Sequence, residues 1–198
     1  LPLDVAELGC QILAGTGRKF LRGPRGTGFM YIEASLCERL EPPVIDMFGA
    51  TWTAPDRYEL QPAARRFELW ESDVAARVGL GVAVQEALSL GLPEIAAHTA
   101  SLAHDLRTRL EAMPRVSVQD RGAELCAIVT FTVEGVTPAE VVAHLRAAGA
   151  TLSVAVSTSA QLDLPRRGLD AVVRASVHYL TTDDELDRFS RILRTIVG

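Results

Sequence analysis

Cysteine is scarce in this 198-residue sequence, which has three residues of this type, Cys10, Cys37 and Cys126. Their number is odd and their spacing matches no metal-binding pair, so neither a disulfide framework nor a metal site is expected. Scattered thiols of this kind are typical of a reducing compartment. We therefore expect a cytoplasmic protein with buried or incidental cysteines.

Targeting segments and long apolar runs are also missing. The opening Leu1-Pro2-Leu3-Asp4 lacks the basic and apolar regions of a secretory signal, and no apolar run is long enough to span a bilayer. We therefore expect no membrane partner. Because the chain does not begin with Met and opens in what resembles the middle of a domain, we expect a considerable upstream part of a longer chain to be absent.

Basic residues are slightly fewer than acidic ones: the sequence has 20 basic and 25 acidic residues, and the net charge is -5. A negative total argues against a general nucleic-acid binder, although a local basic cluster can still hold a phosphate. The length suits one globular domain or two small ones.

What the sequence does contain is a glycine-punctuated segment around Lys19, which runs from Gly15 to Gly28 and leads into the apolar run Phe29-Met30-Tyr31-Ile32. Such a pattern predicts a residue held at the mouth of a strand with closely packed backbone around it. A lysine amine attacks a carbonyl carbon only when it is unprotonated, and packing among apolar residues beside other cations favours that state. Lys19 is therefore the first candidate for chemistry.

The neighbouring cations, Arg18, Arg22 and Arg25, leave two other interpretations open. The segment is also compatible with a basic surface turn, since charge runs are usually solvated, or with a phosphate or nucleotide site. Two common phosphate motifs are excluded. A Walker loop requires Ser or Thr directly after Gly-Lys, and the dinucleotide fingerprint requires Gly-x-Gly-x-x-Gly.

The segment T-G-R-K-F-L-R-G-P-R-G-T-G-F-M-Y resembles the cofactor-lysine segment of class V aminotransferase-fold enzymes, which use pyridoxal 5'-phosphate (PLP). The resemblance implies that Lys19 forms the Schiff base with the cofactor. It implies an α/β architecture, the C-terminal part of an aspartate-aminotransferase-like (PLP type I) fold. Residues 1–90 would be the end of the large domain with a connecting helix, and residues 91–198 a small α+β domain. A homodimer is implied, and the residues that bind the pyridine ring would lie upstream.

Local patterns predict the elements of both parts. In the first part we expect a short helix capped by Asp4, a buried strand over 12–14, a strand over 29–33, an irregular loop over 44–62 and a helix over 72–90. In the second part we expect a helix from Pro93, strands near 116–118, 127–133, 151–156 and 171–178, and two helices opened by the capping boxes of Thr137 and Thr182.

Arg174 is the candidate ligand for a substrate carboxylate. Strand alternation places Arg174, Ser176 and His178 on one face and Val173, Ala175 and Val177 on the other. A guanidinium forks onto a carboxylate through two parallel hydrogen bonds, although an edge strand with a wet face would explain the pattern equally well. The segment R-A-S-V-H-Y-L-T-T-D-D-E-L-D is similar to the family's C-terminal signature, which implies that Arg174 holds the substrate α-carboxylate.

Two departures from the cysteine desulfurases of this family bear on the reaction. The loop from Ser157 to Asp170 contains no cysteine, and Leu69-Trp70-Glu71 follows Phe67-Glu68 where desulfurases have Gly-Thr. The resemblance is therefore nearer to C–S lyases of the hercynylcysteine sulfoxide type, and we expect a PLP-dependent β-elimination at a C–S bond of a cysteine conjugate. A class V aminotransferase, an isopenicillin-N-epimerase-like racemase, a desulfurase-like enzyme, and a non-catalytic half-domain or dimerisation module remain alternatives.

Overall fold

A computed structural model of the chain describes residues 2–198. The chain divides into two compact units, Pro2–Leu92 and Pro93–Gly198. Their assignment to the end of a large domain and to a small domain stays a prediction. No single helix in the described chain is long and apolar enough to cross a bilayer. Two consecutive helices, Val74–Leu90 and Leu92–Glu111, reach the required length and composition together, but the chain bends by 79° between them.

The first unit consists of local hairpins and one long helix. Its elements are α1 Val5–Leu8, β1 Ile12–Thr16, β2 Gly28–Ile32, α2 Ala34–Cys37, β3 Ala50–Ala54, β4 Arg57–Leu60, a 3-10 turn Ala63–Phe67 and α3 Val74–Leu90. Strands β1 and β2 form one antiparallel pair, and β3 and β4 form another.

The capping prediction for α1 is confirmed, since the Asp4 carboxylate accepts hydrogen bonds from the backbone N–H of Ala6 and Glu7. The prediction that the first strand is buried is wrong. Strand β1 alternates between exposed and half-buried residues, and Ile12 keeps 47% of its surface exposed. A two-stranded ribbon offers each strand a single neighbour, so it cannot enclose its own side chains.

The prediction of an irregular loop over 44–62 is also wrong, because this stretch contains the β3–β4 hairpin. Trp52 lies opposite Tyr58 across the hairpin and is 77% exposed, so it does not close a core within this unit. The sequence signal was weak because neither face of the hairpin is buried and no apolar alternation arises. The turn at Pro55-Asp56 between aromatic and β-branched residues was the sign that could have revealed it.

Helix α3 follows the predicted boundaries closely. Asp73 is its N-cap, with its carboxylate accepting from the Ala76 N–H at 2.9 Å, and Gly91 ends it with φ 88°. The apolar stripe predicted on this helix is exposed, since Val74, Val78 and Val82 are 60–66% accessible. This unit therefore displays apolar surface that its own residues do not cover.

The second unit is a four-stranded antiparallel sheet with three helices. Its elements are α4 Leu92–Glu111, β5 Val116–Val118, β6 Ile128–Val133, α5 Pro138–Ala147, β7 Ser153–Val156, β8 Ala171–Ser176 and α6 Asp183–Val197. The strand order is β5-β6-β8-β7, so β8 lies inside the sheet although it is the last strand of the chain.

One face of this sheet carries a continuous hydrophobic core. Phe131 from β6, Val173 from β8, Leu110 from α4 and Leu193 from α6 are all fully buried in it. Both predicted capping boxes are present: Thr137 caps α5 through Glu140, and Thr182 caps α6 through Glu185. The inward-facing leucines predicted for α4 are also confirmed.

Candidate functional site

Lys19 lies in a tight turn that begins directly after β1. The Gly17 N–H donates to the Thr27 carbonyl at 2.9 Å, and the Gly23 N–H donates back to the Gly17 carbonyl at 2.8 Å. Within the segment between Gly17 and Gly23, the Arg22 N–H donates a hydrogen bond to the Lys19 carbonyl at 3.0 Å. The backbone around Lys19 is thus fixed by main-chain hydrogen bonds, and the prediction that Lys19 follows a strand end is confirmed.

Helix α3 holds this turn by close packing. A Cβ atom at Gly17 or Gly23 would come within 2.5 or 2.8 Å of the Leu80 side chain, so a larger residue at either position would force Leu80 or the turn to shift. On the helix itself, a Cβ at Gly79 would lie 2.9 Å from the Pro24 ring. The close approach expected at the two helical glycines is therefore present at Gly79, whereas nothing lies within 4 Å at Gly81.

The charges around Lys19 differ from the expectation. Arg22, at φ 59°, forms an ion pair with Glu86 of α3 at 2.8 Å. Lys19, Arg18 and Arg25 are exposed, so the predicted packing of Lys19 among apolar residues is not seen. The Leu80 side chain packs against Gly17 and Gly23 of this turn, whereas Lys19 itself stays exposed. Within residues 2–198 the Lys19 amine makes no hydrogen bond or ion pair.

Arg174 lies on β8, on the face opposite the core. Val173, Ala175 and Val177 are buried, as predicted for the apolar face, and Ser176 on the other face is exposed. Thr130 of β6 and Ser153 of β7 pair with Arg174 in register. Paired residues of neighbouring strands share a face, so all three side chains lie on the polar face of the sheet.

Arg174 has no partner among the described residues, and its Nε atom is buried without a hydrogen bond. The acidic residue beside this row is already engaged. Asp120 forms a buried ion pair with Arg107 at 2.8 Å and accepts from the N–H and hydroxyl of Thr130. An arginine that is half-buried and unpaired is expected to await an anion from outside, since a buried guanidinium is costly without one.

The loop between β7 and β8 lacks cysteine, as noted above, and is ordered by its own hydrogen bonds. Its base is closed by the Ser157 N–H donating to the Asp170 carbonyl at 2.7 Å. Arg167, whose side chain is 8% exposed, pairs with Asp163 at 2.9 Å and donates to the carbonyl and side-chain oxygen of Gln119 at 2.7 Å each. The loop is thus tied to the opposite edge of the sheet.

The segment Leu69-Trp70-Glu71 is held by Asp46. The Asp46 carboxylate accepts from the Trp70 N–H at 2.7 Å and from the Phe48 N–H at 2.8 Å. These hydrogen bonds favour the ionised carboxylate and lower the pKa of Asp46. The Phe48 and Trp70 rings meet edge to face at 6.0 Å, so this departure from the desulfurase pattern has a defined local structure.

Some of these residues escaped sequence reasoning. Leu80, Gln119 and Arg167 act through contacts between distant parts of the chain, and no local pattern marks them. In the sequence, Gly17 and Gly23 were the only sign of the Leu80 contact, and Gly79 was the sign of the contact with Pro24. His98 and His104 are exposed, and the described residues contain no group of three His, Cys, Asp or Glu that could hold a metal ion.

Comparison with known proteins identifies related sequences. The family model of class-V aminotransferases matches residues 1–189. A probable hercynylcysteine sulfoxide lyase of Mycobacterium tuberculosis is 32% identical over 188 residues, which is 94% of this chain and 45% of that protein. Other curated relatives are named as probable cysteine desulfurases, and this chain spans 28–50% of the lengths of the first three.

Solved structures of cysteine desulfurases and of a C–S lyase share the fold of this chain. The apo cysteine desulfurase of Thermococcus onnurineus superposes with a TM-score of 0.89 at 25% identity, over 98% of this chain and 48% of that one. A mutant of the cystine C–S lyase C-DES, solved with glycine covalently linked to its PLP cofactor, gives a TM-score of 0.82 at 24% identity, over 98% of this chain and 48% of that one. The chain thus has about half of the fold seen in these structures.

Proposed function

Because this chain belongs to the class-V aminotransferase family, we propose that it is the C-terminal part of a PLP-dependent lyase that cleaves the C–S bond of a cysteine conjugate. The single observation that carries the proposal is Arg174, a half-buried guanidinium with no partner in the described chain. When bound, PLP supplies an electron sink for the carbanion formed at the substrate Cα.

Lys19 would hold the cofactor covalently through its Nζ atom. It is the only lysine of the chain, its amine is uncommitted, and its backbone is fixed by the closure between Gly17 and Gly23. Once released from the cofactor, the same amine would remove the Cα proton of the substrate as a general base. The fixed backbone and the uncommitted amine support both roles, whereas this unit does not supply the apolar packing that favours an unprotonated lysine.

Arg174 would receive the substrate α-carboxylate. Its position on a central strand fixes the backbone, and the engagement of Asp120 with Arg107 keeps that acid from competing. Substrate binding would then satisfy a buried cation, which gives selectivity for a ligand that carries a carboxylate.

The choice of β-elimination over desulfuration rests on the β7–β8 loop. Sulfur abstraction by the protein needs a thiolate, and the serines of this loop are far weaker nucleophiles at neutral pH. Among the three cysteines Cys126 is exposed, Cys10 is half-buried and Cys37 is buried, and none lies in the loop. With no thiol there, a sulfur leaving group would depart to solvent, and the remaining three-carbon enamine would be hydrolysed by water to pyruvate and ammonia.

The cofactor link can be tested by borohydride reduction of the PLP-treated protein followed by intact-mass analysis. Since Lys19 is the only lysine, reduction should add one cofactor mass to the peptide that contains it. Lys19→Ala should add none, and Arg18→Ala serves as the matched control. A modified Lys19→Ala protein, or an unmodified parent, would overturn the assignment.

The reaction can be tested with S-methyl-L-cysteine sulfoxide and with L-cysteine as separate substrates. We expect pyruvate from the sulfoxide and no enzyme-bound persulfide from cysteine. Arg174→Ala should raise KM sharply, because it removes the carboxylate partner. A persulfide that disappears in Cys126→Ser would instead show a desulfurase that uses another thiol.

A second candidate function, a non-catalytic interaction module, is favoured by one observation. Val74, Val78 and Val82 of α3 form an exposed apolar stripe that another polypeptide could cover. Such a module, or a homodimer, would associate without PLP. Light scattering with and without the cofactor, together with the borohydride result, separates the module from the enzyme.

A further inference from the structure

The polar face of the second sheet carries a transverse row of four residues. Gln119, which directly follows β5, is followed across the sheet by Thr130 of β6, Arg174 of β8 and Ser153 of β7. Arg174 pairs with Thr130 and Ser153, and the Gln119 N–H donates to the Thr130 carbonyl at 2.7 Å. In an antiparallel sheet, residues opposite each other share a face. The row therefore places Gln119 on the face that carries Arg174.

The β7–β8 loop reaches across this row. It leaves the sheet from β7 at one edge and returns to β8, yet its Arg167 contacts Gln119 next to β5 at the other edge. The loop and the Arg167 side chain therefore span β8 and β6 on the face of Arg174. Val172, on the same face, is only 2% exposed and lies outside the core cluster, as does Leu164 of the loop at 4%.

The Arg174 guanidinium beneath this loop has two parts that differ in burial. Its Nε atom is buried and unpaired, whereas its two terminal nitrogens, also unpaired among residues 2–198, are not buried. A carboxylate can fork onto a guanidinium either through Nε and one terminal nitrogen or through both terminal nitrogens. With Nε covered, only the second approach stays open.

We propose that Arg167 is a positioning residue that clasps the β7–β8 loop over Arg174, so that the substrate carboxylate is received end-on by the two terminal nitrogens. This inference rests on the proposed function for the identity of the ligand, but not for the clasp itself. The ion pair with Asp163 neutralises Arg167, so the clasp places no second uncompensated cation beside Arg174. The ordered loop then restricts ligands to those whose carboxylate approaches the two terminal nitrogens of Arg174.

The clasp can be tested on the full chain without any ligand. In Arg167→Met, amide hydrogen exchange at Leu164 and Leu169 should accelerate at least about tenfold, because the loop loses its tie to Gln119. Solvent exchange of the Arg174 Nε–H, observed by NMR and assigned by its loss in Arg174→Lys, should accelerate as well. Arg166→Met, which alters the exposed neighbour in the same turn, should change neither rate.

Two further variants keep the test decisive. Gln119→Ala removes one acceptor of the clasp while retaining Arg167, and should show the same changes more weakly if Arg167→Met fails to fold. With S-methyl-L-cysteine sulfoxide as the probe, Arg167→Met should raise KM about tenfold with kcat unchanged, and Arg167→Lys should restore part of the loss.

Unchanged exchange of the loop amides and of the Arg174 Nε–H in both Arg167→Met and Gln119→Ala would overturn the clasp. A fall in kcat with KM unchanged would overturn the positioning role. If the parent protein converts no cysteine conjugate, the proposed function fails, while the exchange measurements still decide whether the clasp exists.

Discussion

The two units of this chain hold their backbones in different ways. Residues 93–198 enclose a continuous core between a sheet and three helices. In residues 2–92 the buried apolar side chains are few and mostly small: Ile32, Cys37, Ala50, Ala76 and Ala87. That unit relies instead on glycine contacts, on caps and on carboxylate-to-backbone hydrogen bonds. Burial of apolar area is the dominant favourable term in folding, so the two units should differ strongly in stability.

The largest expected effect comes from separating the units. A fragment of residues 93–198 should fold cooperatively on its own, because its core is complete within it, whereas a fragment of residues 2–92 should not. Circular dichroism and urea titration of the two fragments would measure this. A sigmoidal urea transition in the 2–92 fragment would contradict the proposed difference in stability between the two units.

A smaller contrast is expected from truncating one apolar side chain in each unit. Phe131→Ala should destabilise the chain by about 3–5 kcal/mol, since Phe131 is fully buried and the change leaves a cavity. Val78→Ala should stay within about 0.5 kcal/mol, because Val78 is 64% exposed. Urea denaturation reports both values, and equal losses would mean that the α3 stripe is covered in solution.

The two glycines within α3 test whether close backbone contacts stabilise the first unit. Gly81→Ala should stabilise the chain by roughly 0.5–1 kcal/mol, because a methyl group there meets nothing within 4 Å and alanine favours the helix. Gly79→Ala should lose about 1 kcal/mol, since its Cβ would lie 2.9 Å from the Pro24 ring. Thermal denaturation of the two variants should show midpoints shifted in opposite directions.

The smallest expected effect is a loss of stability at acidic pH through protonation of Asp46. The pKa of Asp46 is lowered from its ordinary 3.8 by the N–H groups of Trp70 and Phe48, so its contribution to stability is present above 3.8 and lost as pH falls below it. In a Trp52→Phe background, Trp70 fluorescence should change over that acid range. Asp46→Asn should remove the transition, and a transition that persists in Asp46→Asn would assign it to another group.

The sequence was most informative where local chemistry decides the structure. The capping boxes at Thr137 and Thr182 and the alternation around Arg174 each predicted an element that the structure contains. Prediction failed at the β3–β4 hairpin, whose two exposed faces leave no apolar pattern. It also failed for the clasp, because Arg167 and Gln119 are 48 residues apart and their contact is set by the fold.

The strand order β5-β6-β8-β7 also has a consequence for the timing of synthesis. Strands β6 and β7 do not pair with each other, so both keep open edges until β8 leaves the ribosome and enters between them. The strand that carries Arg174 is thus the last one made and the one that closes the sheet. A chain released before residue 171 would leave two unprotected edges, which are templates for aggregation.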